Sequence, residues 1–251
     1  MTSPVFAAAL VLALALAPFA SGQAADLQIL AGAGIAAPLN ELARQFESAA
    51  GHKLTIRYGT TPELIKMATA GGPFDLGVTP REVFRDETAK AKFAPGPTID
   101  IAHVGLGVAV RAGAAKPNIA TPEALKLALL KAQSVATIPA SAAGAQVLRL
   151  FERLDIAGPM QAKIKTQPGP APMIQAVASG EAELGLFLIN VLTAPGLDVV
   201  GPVPAEINAE VFYIAAVAAG AQQAAAAKAF IAFLQTPAAK AVIKAKGMTP
   251  S

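Results

Sequence analysis

The chain has no cysteine and no tryptophan, and only two histidines and two tyrosines in 251 residues. Without cysteine there is no disulfide framework, no thiol nucleophile and no thiolate metal site. Two lone histidines, His52 and His103, and scattered carboxylates offer no metal-ligand spacing, so neither a metal nor a cofactor is expected. No Gly-x-Ser-x-Gly elbow and no Ser-His-Asp order in a suitable turn context is present. A long charge block of one sign is also lacking: 20 basic residues face 17 acidic ones, for a net charge of +3. Nucleic-acid binding calls for a basic stripe interleaved with stacking aromatics, so nucleic acid is not an expected partner. Lys240, Lys244 and Lys246 make a basic face that reads as solvated.

Charge is missing altogether from residues 1–25. Val5 to Ala17 is an apolar run, followed by Pro18 and the small-residue stretch Ala20-Ser21-Gly22-Gln23-Ala24-Ala25. This is the pattern of a secretory signal peptide over residues 1–24, with cleavage after Ala24 or nearby, although only the terminal amine supplies positive charge. The run is short for a membrane span; an uncleaved anchor is the alternative, and no cysteine follows to take a lipid. The expected mature protein is soluble, exported and, in a bacterium, periplasmic.

What is present is an alternation of short apolar strands and helical segments. Leu27–Ala31, Leu54–Tyr58, Phe74–Val78, Ile101–Val110, Ser134–Ile138, Leu184–Ile189, Leu197–Val200 and Val211–Ala218 read as strands. Helices are expected over 38–50, from Thr61, from Thr121, over 144–154, after the proline-rich loop 168–172, over 221–235 and over 237–246. Such alternation implies an α/β architecture with largely parallel sheets. In open α/β sheets ligands bind beyond the carboxyl ends of the strands.

Three turns qualify as that site: 32–37, 59–62 and 139–144. In Tyr58-Gly59-Thr60-Thr61-Pro62-Glu63 a strand stops at Gly59 and a helix starts, with Thr61 expected as N-cap and Pro62 at the first helical position. Helix N-terminal N–H groups have no intrahelical partner and lie at the positive end of the dipole, which suits an oxyanion. Thr60 and Ser141 are therefore the leading donors, with Thr61 next; Ser141 equally fits an N-cap. The amides of Gly34, Ile35 and Gly144 are further candidates. Arg81, after a strand end, has a fork suited to a carboxylate, or is a solvated surface residue. Asn190, just beyond a strand, fits either a ligand bond or a loop cap. Gly32-x-Gly34-x-x-Ala37 has the form of a dinucleotide fingerprint, but the second strand ends at Tyr58-Gly59 rather than at the acidic residue that would hold a ribose.

Several stretches together carry a family resemblance: Gly32-Ala33-Gly34-Ile35-Ala36-Ala37-Pro38-Leu39, Tyr58-Gly59-Thr60-Thr61, Phe74-Asp75-Leu76, Val104 to Arg111, and Gly180-Glu181-Ala182-Glu183-Leu184-Gly185. From about Leu27 onward the chain resembles periplasmic solute-binding proteins of the type II class, and their molybdate-binding branch most closely. The resemblance implies two α/β lobes with a ligand cleft between them, and crossing segments near 105–111 and 200–204. Lobe 1 would comprise 25–104 and 204–251, and lobe 2 residues 105–203. It also implies a small anion as ligand, a monomeric protein and a membrane permease of an ABC transporter as partner. The chain departs from the branch in having Gly34 where a serine is common, threonines in the second turn, and no tyrosine near Leu188-Ile189-Asn190. A small organic acid is thus at least as good a candidate as molybdate. The reading is of a binding protein without chemistry; the alternatives are a sensory ligand-binding subunit or a secreted enzyme on the same scaffold, for which His103 with Asp75 is the one base pairing to suggest.

Overall fold

The computed structural model describes residues 25–251; the expected signal peptide, 1–24, lies outside the described residues. From β1 (Asp26–Gly32) the chain passes through a 3-10 turn, Ala33–Ile35, into α1 (Ala36–Ala50), β2 (Lys53–Gly59) and α2 (Thr61–Thr69). β3 (Leu76–Pro80), α3 (Glu87–Lys90) and the long strand β4 (Ile99–Arg111) follow. Next come α4 (Pro122–Lys131), β5 (Val135–Thr137), α5 (Ala142–Arg153), α6 (Ala157–Gln161), β6 (Ile164–Thr166), α7 (Pro170–Ala178) and β7 (Leu184–Leu188). The chain closes with β8 (Leu197–Pro202), β9 (Glu210–Val217), α8 (Ala224–Leu234), α9 (Pro237–Ala245) and the two-residue β10 (Thr249–Pro250).

Strand order is β2-β1-β3-β9-β4-β7-β5-β6, with β8 and β10 also on β4. β1 runs parallel to β2 and β3, and β5 runs parallel to β6 and β7. β9 and β4 enter antiparallel. The expected α/β class therefore holds, but the expectation of largely parallel sheets is corrected: β4 pairs antiparallel with β7, β8, β9 and β10, and β3 pairs antiparallel with β9. Both faces of the first sheet are covered, which is why β1 reads as an apolar run rather than an alternation. Leu27, Ile29 and Ala31 enter the main core beside Leu39, Leu42 and Phe46 of α1. Leu30 points the other way, to Leu64 and Ala68 of α2 and to Phe74 and Phe93. The last helices return to this sheet: Phe230 and Phe233 lie 5.0 and 5.4 Å from the Phe46 ring, and Lys246 pairs with Glu41 at 2.9 Å.

β4 belongs to both halves of the order. Ile99 to Gly105 pairs with β9, whereas Leu106 to Ala109 pairs with β7 and Gly107 to Arg111 with β8. The second crossing runs from Pro202 to β9, and Asn208 ties it to the first. Leu106 N–H donates to Asn208 Oδ1 at 2.9 Å; Asn208 Nδ2 donates to the Leu106 and Val203 carbonyls at 3.3 and 3.2 Å.

Two local expectations are corrected. The proline-rich stretch 168–172 is not all loop: α7 starts at Pro170, because proline in a first helical turn gives up an N–H that has no intrahelical partner. β8 runs on to Pro202, pairing through Gly201 and Pro202 with β4, beyond the expected strand end at Val200. No single helix among the described residues is long and apolar enough to cross a membrane.

Replacing Asn208 with alanine leaves the Leu106 amide and the Val203 carbonyl short of partners. Asn208→Ala is expected to cost about 1–3 kcal/mol, read as a lowered urea midpoint; an unchanged midpoint would show that the crossings hold without the clamp.

Candidate functional site

The carboxyl ends of β1, β2, β3, β5 and β7 meet at one cavity. It is lined by Ala33, Gly34, Gly59, Thr60, Thr61, Pro80 and Tyr213 on one side and by Ile138, Ser141, Ala142, Ala143, Pro170, Phe187 and Leu188 on the other. These two sets come from the two halves of the strand order, so the cavity is an interlobe cleft. Its space for the centres of water-sized spheres is about 20 Å³, room for roughly one water. No charged residue is among those lining it. Four helices of nine residues or more, α1, α2, α5 and α7, begin at its wall, the last with Pro170 in its first turn and no side-chain cap.

The helix starts are finished differently. At α2 the N-cap is Thr60, not Thr61 as expected. The Thr60 N–H and hydroxyl both donate to Glu63 Oε2, at 2.7 and 2.8 Å. First the Thr60 amide and then its hydroxyl hold the Glu63 carboxyl below its ordinary range. Glu63 at the third helical position is what gives Thr60 the cap, since the pair completes the sequence signature of a capping box. Thr61 is thereby released to the other lobe, where its Oγ1 accepts from the Ala142 N–H at 3.1 Å.

At α5 Ser141 is the N-cap. Its Oγ accepts from the Gly144 N–H at 2.9 Å and donates to the Ile138 carbonyl at 2.8 Å. The expectation that Gly144 offers its amide to a ligand is thus corrected: that N–H belongs to the cap. Gly144 is glycine for another reason. A Cβ there would lie 1.9 Å from the Ile138 carbonyl oxygen, so any side chain would force the backbone apart.

The start of α1, including its 3-10 lead-in, has no side-chain cap. Gly34 lines the cavity, whereas Ile35 is 1 % exposed and turns its side chain into the core. Asn190 reaches this turn from the opposite lobe, donating from Nδ2 to the Gly34 carbonyl at 2.9 Å. With Thr61 to Ala142, that makes two hydrogen bonds that close the lobes on each other.

Arg81 is not at the cleft. Its guanidinium pairs with Asp100 at 2.7 Å and lies 4.5 Å over the Phe212 ring, so the fork expected for a carboxylate is already engaged by the protein. The pairing of His103 with Asp75 is also corrected. Asp75 accepts from the backbone N–H groups of Gln28, Gln222 and Gln223 at 2.7–2.9 Å, a structural staple before α8. His103 instead faces Glu210 at 3.0 Å and stacks on Phe212.

One cavity residue lay outside the sequence expectations. Tyr213 of β9, opposite Pro80 in the register, is 2 % exposed and turns its ring onto Gly34. A Cβ at Gly34 would lie 2.2 Å from the Tyr213 hydroxyl and 2.5 Å from Leu188 Cδ1. Burial first, and the negative charge of Glu82 second, push the Tyr213 phenol far above its usual range. The residue lines the cavity. The sequence signal was slight: one of two tyrosines, inside an otherwise apolar strand. The site as a whole offers neutral donors and helix N-termini, a chemistry suited to a desolvated anion.

Comparison with known proteins agrees with this arrangement. The family model described as bacterial extracellular solute-binding protein matches residues 27–249. The chain is 33 % identical to an aconitate isomerase of a Pseudomonas species, over 95 % of this chain and 94 % of that protein. It is 26 % identical to the molybdate-binding protein ModA of Azotobacter vinelandii, covering 90 % and 91 % of the two chains. Among solved structures, the periplasmic molybdate-binding protein of Azotobacter vinelandii superposes with a TM-score of 0.70 at 23 % identity, covering 89 % of this chain and 98 % of that one. The sulfate-binding protein SubI of Mycobacterium tuberculosis does so with a TM-score of 0.71 at 16 % identity, over 90 % and 87 %. The fold is thus the two-lobe one of the periplasmic binding proteins.

Two outcomes test this geometry. Gly34→Ser is expected to cost about 1–3 kcal/mol through overpacking against Tyr213 and Leu188, measured by chemical denaturation; a neutral result would show that the two side chains move aside freely. For Glu63, whose carboxyl titrates lower in the folded chain, the stabilising contribution is present above the unfolded carboxylate range and is lost as pH falls through the folded pKa. The stability gap between wild type and Glu63→Gln is therefore expected at neutral pH and should vanish on acidification; a gap independent of pH would remove the capping role.

Proposed function

The chain belongs to the bacterial extracellular solute-binding proteins, and from that membership we propose that it captures a small anion in the interlobe cleft outside the cytoplasm and delivers it to an ABC-type permease. The observation that carries this reading is the convergence of four helix starts on a cavity with no charged lining residue. Donors of this kind favour negative charge without a fixed counter-ion. In this reading lobe 1 comprises 25–104 and 204–251 and lobe 2 residues 105–203, in a monomeric periplasmic protein. Gly34, Thr61 and Tyr213 are the leading ligand contacts, and Ile35 contributes only its amide. Thr60, Ser141 and Asn190 shape the site through the bonds they make to the protein.

The cleft is too small for molybdate or a carboxylic acid while Thr61 holds Ala142 and Asn190 holds Gly34. Ligand entry therefore requires the lobes to part. Ligand would then replace Thr61 at the Ala142 amide, and its contacts with both lobes favour the closed arrangement.

The relatives named for molybdate and for aconitate isomerisation point to two ligand classes, tetrahedral oxyanions and small polycarboxylates. The second functional reading, an enzyme acting on a small unsaturated acid, is favoured by the 33 % identical relative alone.

A thermal-shift screen with molybdate, tungstate, sulfate, phosphate, cis-aconitate, trans-aconitate and other small carboxylates separates these. Binding at 100 times Kd adds about 2.7 kcal/mol to stability, so at least one probe is expected to raise the melting temperature. Silence across the panel would sink the anion-binding reading. Proton NMR of cis- or trans-aconitate incubated with the protein decides the rest: conversion between the two would replace the binding reading with the enzymatic one, and unchanged spectra would keep it.

A further inference from the structure

We propose that Tyr213 is the specificity-determining donor of the cleft, supplying from β9 the hydroxyl that the first turn lacks because residue 34 is glycine. The proposal rests on the anion-binding reading above and names the residue that selects the ligand within it. Its first support is steric. The Tyr213 oxygen lies 2.2 Å from where a Cβ on Gly34 would stand, so it fills the volume that a serine at 34 would use. A side chain at 34 and the phenol at 213 exclude one another in this geometry.

The second support comes from the four hydroxyls that line the cavity. Thr60 gives its proton to Glu63 and Ser141 gives its proton to the Ile138 carbonyl. Thr61 accepts from Ala142. Tyr213 brings the fourth hydroxyl to the cavity wall from a residue that is 2 % exposed, and sets it against Gly34. A phenol at the cavity wall can give its proton to an anionic acceptor placed there, a charge-assisted bond stronger than a neutral one.

The third support is the mounting. The ring is wedged between Gly32 and Gly34: a Cβ on Gly32 would lie 2.7 Å from Tyr213 Cε1, and Pro80 faces Tyr213 in the register. A phenol so held offers its proton along a fixed direction, whereas a serine hydroxyl would rotate. Burial and the charge of Glu82 keep that proton in place. The partner it selects is an unprotonated acceptor, a carboxylate or a fully ionised oxyanion oxygen, lying against the uncapped start of α1.

Tyr213→Phe removes one oxygen and leaves the ring packing. Without ligand its unfolding midpoint should stay close to that of wild type, because the ring keeps its packing. Isothermal titration with molybdate, sulfate, cis-aconitate and trans-aconitate is then compared between the two proteins. Loss of a hydrogen bond to a charged partner predicts binding weaker by about 10- to 100-fold for whichever probe wild type binds. Because the chain has two tyrosines and no tryptophan, a Tyr58→Phe protein reports on Tyr213 alone. Its near-ultraviolet tyrosine band should shift on saturation with the same probe. Binding by Tyr213→Phe as tight as wild type, or an unmoved band at saturation, overturns the proposal while leaving the anion-binding reading intact. Wild type that binds none of the four probes overturns both.

Discussion

Both lobes of this protein hang on one strand. β4 is hydrogen-bonded to β9 through its first half and to β7 and β8 through its second. The ladder hands over from one set of neighbours to the other at Gly105 and Leu106, and there Asn208 joins the second crossing segment to the first. A backbone shared in this way keeps the two sheets in register with each other. The strand ends on either side of the handover then face one cleft, and whatever the turns carry is presented in pairs from opposite walls.

Within the cleft, capping and ligand binding compete for the same groups. The first N–H groups of a helix must find a partner, and side chains or ligands can supply it. α2 is satisfied by Thr60 and Glu63, and α5 by Ser141 and by Thr61 from the other lobe. The start of α1 has no side-chain cap. The starts are thus unequal although they look alike in sequence: α1, beside Tyr213, and α7 have no side-chain cap. The neutral lining also accounts for a scaffold that serves relatives named for different anions: a cleft of N–H and O–H donors discriminates by shape and by the direction of its hydroxyls rather than by a fixed charge.

The alternation of strand and helix, the turns at the carboxyl ends and the family resemblance were all legible in the chain, because each rests on local spacing. Leu39, Leu42 and Phe46 announce the buried face of α1 by their helical period. Thr121-Pro122-Glu123 announces a helix start, and Thr121 does cap α4. The misplaced cap at α2 had a local cause as well: Thr60 and Thr61 are adjacent hydroxyls, and the choice between them was made by Glu63 reaching back to Thr60 while Ala142 of the other lobe took Thr61.

What the amino-acid sequence determined by itself was the α/β class, the three small-residue turns and the lack of any thiol, all of which follow from composition and short-range pattern. Tertiary structure alone decided which donors face the cleft. It removed Arg81 to Asp100, Asp75 to the backbone before α8 and the Gly144 amide to Ser141, and it brought Tyr213 over Gly34. Residues 34 and 213 are far apart along the chain, and their encounter depends on the antiparallel insertion of β9 between β3 and β4. Nothing in the local pattern of either residue encodes that insertion, since strand pairing is settled by the burial of whole faces. The chemistry of the turns was written locally; their availability was settled by packing.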